Sequence, residues 1–210
     1  MDKKQQRIIM KEKRKNLQRE YCRMADEKIC RNILTLKEFA EADTVFCFVS
    51  TEEEIDTRLI FKEAWKTGKR VVVPRCEGKG HMEAYEIHSF SELAEGSYGI
   101  LEPGKNCKMV RPEEIQFAVV PCLACSVRGW RLGYGGGYYD RYFSRAESMN
   151  AESKENGCAG KRMIKAVICR EQLLEEDICR EEHDIRMDIV VTERKNILLE
   201  ENHTSKVSKS

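Results

Sequence analysis

Short apolar runs rich in β-branched residues alternate along the chain with segments whose apolar positions recur at helical spacing. The apolar runs predict strands at 44–50, 70–74, 117–121, 163–169 and 188–192, and the alternating pattern at 82–87 predicts a half-buried strand. Helical spacing predicts helices at 3–23, from Asp26 to Phe39, and at 56–66. Strands separated by helices favour an α/β fold, a three-layer arrangement of a mostly parallel sheet with helices on both faces.

The loops that leave the carboxyl ends of such strands form the expected ligand site. These loops are 75–81, 97–112, 121–137 and 170–187. The polar segment 150–161 is expected to be a surface excursion. We expect a single domain over residues 1–193 and a flexible tail over residues 194–210.

Composition and charge narrow the class of protein. The chain has 210 residues, with 37 Lys and Arg against 36 Asp and Glu, which is typical of a soluble globular protein. It has no run of about 18 apolar residues that could span a membrane. The N-terminus lacks the apolar stretch of a secretory signal, so we expect a cytoplasmic protein, and we expect it to be a monomer.

Charge is unevenly distributed. Residues 1–37 hold twelve Lys and Arg against five acids, which indicates either an anionic ligand or a solvated helix face. The near-zero net charge and the acidic segment 171–184 argue against a nucleic-acid partner.

Ten cysteines are scattered along the chain, and Cys122 and Cys125 form a CxxC pair. A zinc site would need a second pair or histidines at ligand spacing, and none follows. We therefore expect free thiols that pack as small apolar side chains, with a redox pair as the less favoured alternative.

The segment RLGYGGGYYDRY, residues 131–142, holds four glycines and four tyrosines. Glycines of this kind adopt positive φ and expose backbone N–H groups to an anion, and a helix beginning near Gly136 would present its positive end to the same anion. Arg131 adds a cation that can bind two phosphate oxygens. The alternative is a tight turn followed by a tyrosine-rich core helix.

Two segments partly match known nucleotide-binding motifs, the P-loop and the Rossmann motif, but each lacks a residue that its motif requires. GILEPGKN at 99–106 has Asn106 where a P-loop needs Ser or Thr for magnesium. GYGGGY at 133–138 has Tyr138 in place of the last glycine of a Rossmann motif, and it lies too far from its strand.

The segment GWRLGYGGGYYDRY closely resembles the signature of the 5-formyltetrahydrofolate cyclo-ligase family, whose members are also called methenyltetrahydrofolate synthetases. Five further segments follow that family's order: KKQQR (3–7), FVSTEEEIDT (48–57), VVVPR (71–75), GILEP (99–103) and EEHDIRMDIVVTE (181–193). The resemblance spans residues 3–193 and implies a fold that resembles the NagB/RpiA/CoA-transferase-like fold. The family usually shows a Phe-Asp pair where this chain has Cys125 and Ser126.

The resemblance implies an enzyme that uses ATP and Mg²⁺ to convert 5-formyltetrahydrofolate into 5,10-methenyltetrahydrofolate, ADP and phosphate. Phosphorylation of the formyl oxygen would turn a poor leaving group into a good one. Such chemistry needs positioning and charge neutralisation more than a covalent nucleophile. Two alternatives remain: a paralogue that uses ATP on another small molecule, and a non-catalytic protein that binds nucleotides or RNA.

The resemblance also implies the site residues. Catalytic roles fall to Arg131, Tyr138 and Asp140, and magnesium to Asp140 and Asp184, with Asp188 as an alternative. The implied ATP-binding residues are Lys3, Arg7, Arg131, Leu132, Gly133, Tyr134, Gly135, Gly136, Gly137, Tyr138 and Tyr139. The implied substrate-binding residues are Val49, Glu54, Tyr134, Gly135, Gly136, Gly137 and Tyr138. The competing roles are solvation for Lys3 and Arg7, ion pairing for Asp140, and core packing for the tyrosines.

Overall fold

A computed structural model describes residues 1–96, 99–155 and 162–200. The helices are α1 Lys3–Lys15, α2 Arg19–Leu34, α3 Lys37–Glu41, α4 Arg58–Lys66 and α5 Tyr138–Glu155. The strands are β1 Thr44–Cys47, β2 Arg70–Gly78, β3 His81–Ile87, β4 Leu93–Glu95, β5 Leu101–Pro103, β6 Met109–Val110, β7 Phe117–Val120, β8 Ala124–Ser126, β9 Arg131–Leu132, β10 Ile164–Ile168, β11 Leu174–Glu175, β12 Ile189–Val191 and β13 Asn196–Leu198.

The central sheet has the strand order β13-β12-β10-β7-β1-β2-β3-β6. The five strands from β12 to β2 pair in parallel, whereas β13, β3 and β6 pair antiparallel at the two edges. Side chains alternate between the faces, so Phe46 of β1 packs in one core and its neighbours Val45 and Cys47 in the other. The first core also contains side chains of α1 and α5, and the second contains side chains of α2, α3 and α4. The predicted three-layer α/β fold with a mostly parallel sheet is confirmed.

The N-terminal helices break at a different place from the one expected. Helix α1 ends at Lys15 and α2 begins at Arg19, so the predicted helix 3–23 is two helices, and Asp26 lies inside α2 instead of capping it. The reason is tertiary: the Asp26 carboxylate is buried and accepts hydrogen bonds from the Arg170 guanidinium, with Nε to Oδ1 at 2.7 Å. Sequence pattern alone does not reveal a partner 144 positions away.

Strand β2 continues past Pro74, where the sequence predicted its end. It pairs with β1 only as far as Val72 and with β3 as far as Gly78. Because β2 no longer pairs with β1 beyond Val72, the missing N–H of Pro74 leaves no hydrogen bond to β1 unmade. Proline is tolerated in a sheet at such an unpaired edge. Loop 75–81 is consequently a hairpin that reaches beyond the carboxyl end of β1.

The C-terminal end departs from expectation as well. Residues 196–198 were expected in a flexible tail, but they form β13, antiparallel to β12. Ile197 and Leu199 are partly buried against the first core, which explains why the chain stays paired here. Of the segment 150–161, residues 150–155 belong to α5, and residues 156–161 lie outside the described residues, as do 201–210.

A second, small sheet of order β11-β8-β9 holds the loop that follows β7. Ser126 fixes its turn, because its backbone N–H donates to the carbonyl of Trp130 at 2.8 Å and its hydroxyl accepts from the Trp130 N–H at 3.2 Å. In the part of the chain that the structure describes, no helix is both long and apolar enough to cross a bilayer.

Candidate active site

A cleft of about 540 Å³ opens beyond the carboxyl ends of β1 and β7. The predicted site residues that line it are Lys3, Arg7, Val49, Glu54, Arg131, Gly133, Tyr134, Gly135, Gly136, Gly137, Tyr138, Tyr139, Asp140 and Asp184. Leu132 is the exception: its side chain is fully buried in the core behind the turn, as an apolar residue of β9 must be. The structure thus brings together residues from segments as far apart as positions 3 and 184.

The wall of the cleft that follows β9 is a turn of glycines, Gly133 to Gly137, ending where α5 begins at Tyr138. Gly135 has φ +104° and Gly137 has φ +65°, conformations that residues with a Cβ rarely adopt. A Cβ on Gly137 would also come within 2.9 Å of Nη1 of Arg141. Bare backbone and the positive end of α5 therefore face the cleft together, as an anion site requires.

Arg131 and Asp140 form an ion pair beneath this turn, with Nη2 to Oδ1 at 2.8 Å. Their side chains are only 5% and 14% exposed. Asp140 also accepts the N–H of Ile185 at 3.2 Å, and the Arg131 guanidinium lies 5.5 Å from the centre of the Tyr139 ring. Among the described residues, the buried Nε of Arg131 has no hydrogen-bond acceptor, so this donor suits an anionic ligand.

Helix α1 supplies the basic wall. Asp2 and Gln5 form a capping box at its start, which fixes Lys3 and Arg7 one turn apart on the side that lines the cleft. Nζ of Lys3 lies 2.5 and 2.6 Å from the two carboxylate oxygens of Asp184. Nε of Arg7 donates to the carbonyl of Gly133 at 2.9 Å, so α1 and the glycine turn are directly joined.

Two carboxylates in the cleft could hold a metal ion. Asp140 and Asp184 both line it, and ligand atoms of Asp184, His183 and Glu181 lie within 4.8 Å of one another. Carboxylate oxygens are the ligands that Mg²⁺ prefers. Here Lys3 contacts both oxygens of Asp184, and Arg131 contacts Oδ1 of Asp140, so an ion would share these carboxylates with the two basic side chains.

Asp188, the alternative ligand, does not line the cleft. It forms an ion pair with Arg162 at 2.5 Å and accepts the N–H of Lys165 at 2.7 Å, so it fixes the start of β12.

The remainder of the cleft is more apolar. Val49 and Glu54 follow β1, and one oxygen of Glu54 accepts the N–H and hydroxyl of Thr51 at 3.0 and 3.1 Å. Burial, with Glu54 as the second cause, raises the pKa of Tyr139 well above its usual value, so its hydroxyl keeps its proton at neutral pH. Tyr142 does not belong to this site: it is buried in the core and stacks on Phe46.

Arg14 of α1 closes one side of this region. Its Nη1 donates to the hydroxyl of Tyr134 at 2.8 Å, and its guanidinium lies 5.4 Å from the centre of that ring. A second group of the same side chain pairs with Glu53.

Several lining residues escaped the sequence analysis. They are Phe48, Pro74, Cys76, Met82, Ile100, Leu101, Glu102, Pro121, Arg141, Glu181 and His183. Arg141 has a distinct position, because its guanidinium donates to the carbonyls of Gly80 and Gly136 and so joins the β2–β3 hairpin to the glycine turn. Its place directly after Asp140 in the glycine-rich segment was the one available signal. Arg75, the last residue of the segment VVVPR, pairs with Glu77 and is not part of the lining.

Comparison with known proteins gives consistent matches. The model of the 5-formyltetrahydrofolate cyclo-ligase family matches residues 1–193. A probable 5-formyltetrahydrofolate cyclo-ligase of Schizosaccharomyces pombe is 32% identical over 177 residues, which is 80% of this chain and 84% of the relative. The 5-formyltetrahydrofolate cyclo-ligase of Escherichia coli K12 is 29% identical over 136 residues, covering 63% and 75%. The solution structure of Aquifex aeolicus 5,10-methenyltetrahydrofolate synthetase superimposes with a TM-score of 0.77 at 30% identity, covering 98% of this chain and 100% of that one.

Proposed function

The chain belongs to the 5-formyltetrahydrofolate cyclo-ligase family, and from this premise we propose that it converts 5-formyltetrahydrofolate into 5,10-methenyltetrahydrofolate with ATP and Mg²⁺. One observation carries the proposal: a basic helix, a glycine turn, two acids and an apolar pocket with a carboxylate share one cleft. The first three suit a nucleoside triphosphate, and the last suits a ring with N–H donors. The chain is therefore an enzyme whose two substrates meet in the cleft.

The reaction follows from the chemistry of a formamide. The formyl oxygen attacks the γ-phosphorus of ATP, the bond to the ADP oxygen breaks, and an iminium phosphate results. The nitrogen at position ten of the folate then adds to the formyl carbon and loses its proton. The C–O bond breaks, and the released phosphate takes up that proton. The net products are the cyclic methenyl cation, ADP and phosphate. Charge accumulates on phosphate oxygens in both steps, so fixed donors are the chief requirement.

We assign the phosphates to the glycine turn and its neighbours. Arg131, with an unused buried Nε donor, would bind the transferred phosphate, and Lys3 and Arg7 would bind the rest of the chain of phosphates. Asp140 and Asp184 would hold Mg²⁺, which supplies neutralisation of the phosphate charge when bound. Because each acid is paired with one of these basic side chains, both ion pairs would rearrange when the triphosphate and Mg²⁺ bind.

We assign the folate to the apolar side of the cleft. Glu54 has a second carboxylate oxygen besides the one that Thr51 occupies, and that oxygen can accept N–H groups of the pterin ring. Tyr138 follows the glycine turn immediately, where its ring can pack on the pterin and its hydroxyl can meet the formyl group. Val49 provides apolar contact beside Glu54.

The test mixes protein, ATP, Mg²⁺ and 5-formyltetrahydrofolate and follows the absorbance of the methenyl product. We expect turnover that requires both ATP and the formyl group. Asp140→Ala should abolish it while leaving a folded chain. A wild-type protein that consumes ATP only with another small molecule, or that consumes none, would contradict the proposal.

A further inference from the structure

Three thiols that the sequence did not connect lie together behind the cleft. The Sγ atoms of Cys122, Cys125 and Cys169 are all within 4.8 Å of one another. Cys122 follows β7, Cys169 follows the adjacent parallel strand β10, and Cys125 is the middle residue of β8. The fold thus supplies, across 44 positions of sequence, the third ligand that the CxxC pair lacked.

We propose that Cys122, Cys125 and Cys169 form a binding site for one thiophilic d¹⁰ metal ion of the Zn²⁺ or Cu⁺ class. Thiolate sulfur is the ligand these ions prefer. Among the residues whose side chains the structure describes, no fourth His, Cys, Asp or Glu joins the group, so three sulfurs define the site. Nothing in the proposal depends on the activity proposed above.

The separation of the sulfurs favours a metal over a disulfide. Bonds of about 2.3 Å to a common ion place sulfurs roughly 3.8–4.0 Å apart, so the three thiols would close by no more than about 1 Å. A disulfide needs about 2.0 Å between two sulfurs. From the upper limit of 4.8 Å, two sulfurs would then have to approach by more than twice the roughly 1 Å that a metal requires. Cys125 and Cys169 are fully buried in close-packed surroundings, which resist the larger movement.

The surroundings also suit a cation bound by thiolates. Arg14 and Arg170 line a small cavity together with Cys122 and Cys169, and a nearby positive charge favours a thiolate. In the metal-free chain the Cys122 thiol donates to the carbonyl of Ile168 at 3.3 Å and the Cys169 thiol donates to the carbonyl of Arg170 at 3.5 Å, so metal binding would release both protons.

This small cavity offers an approach. It has a volume of about 20 Å³, room for one water-sized ligand, and Cys122 and Cys169 both line it. Arg170, Glu53 and Glu54 line it too, so its charges are mixed. A water there could serve as a fourth ligand, as in zinc sites with three protein ligands.

The site would reinforce the wall on which Arg131 stands. Cys125 pairs with Arg131 across β8 and β9, and Cys122 follows Pro121, which lines the cleft. An ion held between the ends of β7 and β10 and the middle of β8 would fix these three segments relative to one another. Metal binding should therefore raise the unfolding temperature as well as fill the site.

The experiment uses the reduced, full-length chain after removal of metal by a chelator. Titration with Cd²⁺ should give Cd–thiolate charge-transfer absorption that saturates at one ion per chain. Cys169→Ser should weaken Cd²⁺ binding by more than about tenfold, the range that loss of even an outer-shell partner produces. Cys107→Ser, which removes a half-buried thiol outside the group, is the matched control and should bind like wild type. Preloading with Zn²⁺ or with Cu⁺ in separate arms shows which ion blocks Cd²⁺ uptake.

X-ray absorption spectroscopy of the metal-loaded wild type tests the proposal even if the serine variant does not fold. The spectrum should show three sulfur atoms bound to the metal ion. Two or fewer sulfurs, uptake without saturation at one ion, or equal binding by wild type and Cys169→Ser would overturn the proposal. So would a chain that binds no metal but loses two of these thiols to oxidised glutathione, because that result assigns the cluster to a disulfide.

Discussion

Replacing Arg131 by methionine separates the structural role of its ion pair from its proposed role in catalysis. Arg131→Met removes the partner of a carboxylate that is only 14% exposed and that faces the cleft. Loss of one member of a buried pair costs about 3–5 kcal/mol of the free energy of unfolding. Because Asp140 lines the cleft and can be reached by water, we expect a loss at the lower end, about 3 kcal/mol. The contact with the Tyr139 ring, at 5.5 Å, contributes about 0.5–1 kcal/mol of that loss.

The double variant Arg131→Met with Asp140→Asn leaves no unpaired charge. Its asparagine can still accept the N–H of Ile185, so only the ring contact and the pair's net worth are lost. We expect a free energy of unfolding about 1 kcal/mol below wild type for the double variant. Asp140→Asn alone, whose amide oxygen can still accept from the Arg131 guanidinium, should cost about 1 kcal/mol, so the expected coupling between the two positions is about 3 kcal/mol.

Urea unfolding measures all four proteins, with equal m-values as the check that the native states are alike. Turnover should be lost in both single variants and in the double variant, because stability returns without the groups that serve the phosphates. A coupling below about 0.5 kcal/mol would show that the two side chains do not interact. Recovery of turnover in the double variant would refute the catalytic role.

Three further predictions concern the nucleotide. Lys3→Gln should raise the KM for ATP at least about tenfold, because it removes a charge that would bind phosphate and leaves Asp184 unpaired. The control Lys4→Gln, on an exposed part of α1, should keep the wild-type KM. Equal KM values for the two variants would contradict the assignment. Gly135→Ala should destabilise the turn by about 1–2 kcal/mol, because φ is +104° there. It should also raise the KM for ATP, because relief of this strain moves the backbone N–H groups that would bind phosphate; an unchanged KM would place the phosphates elsewhere. Chelation of Mg²⁺ should abolish turnover reversibly, and full activity in excess chelator would exclude the assigned metal role.

The site was predictable to the extent that its residues lie in one segment. The glycines, Arg131 and Asp140 are contiguous, and the chemistry of a glycine turn at a helix start does not depend on the rest of the fold. The central strands were predictable for a related reason: strands covered on both faces consist of unbroken apolar runs, such as FAVV in β7. These signals are local, and so they survive without knowledge of the tertiary structure.

What the sequence did not reveal depends on contacts between distant positions. Aspartate is a preferred residue at the start of a helix, but Asp26 lies inside α2, where the buried guanidinium of Arg170 pairs with it. Cys169 has no spacing relation to the CxxC pair, because the adjacency of β7 and β10 brings it there. The sequence does not show that Arg141 contacts the β2–β3 hairpin, because the fold alone brings the carbonyl of Gly80 to its guanidinium.

The fate of the formyl oxygen tests the central claim most directly. We propose that this oxygen attacks the terminal phosphate of ATP, so it must leave the folate within the released phosphate. 5-Formyltetrahydrofolate labelled with ¹⁸O in the formyl group, turned over in unlabelled water, should give inorganic phosphate with one ¹⁸O atom by mass spectrometry. Label that appears in water, with unlabelled phosphate and a normal yield of methenyl product, would contradict the account.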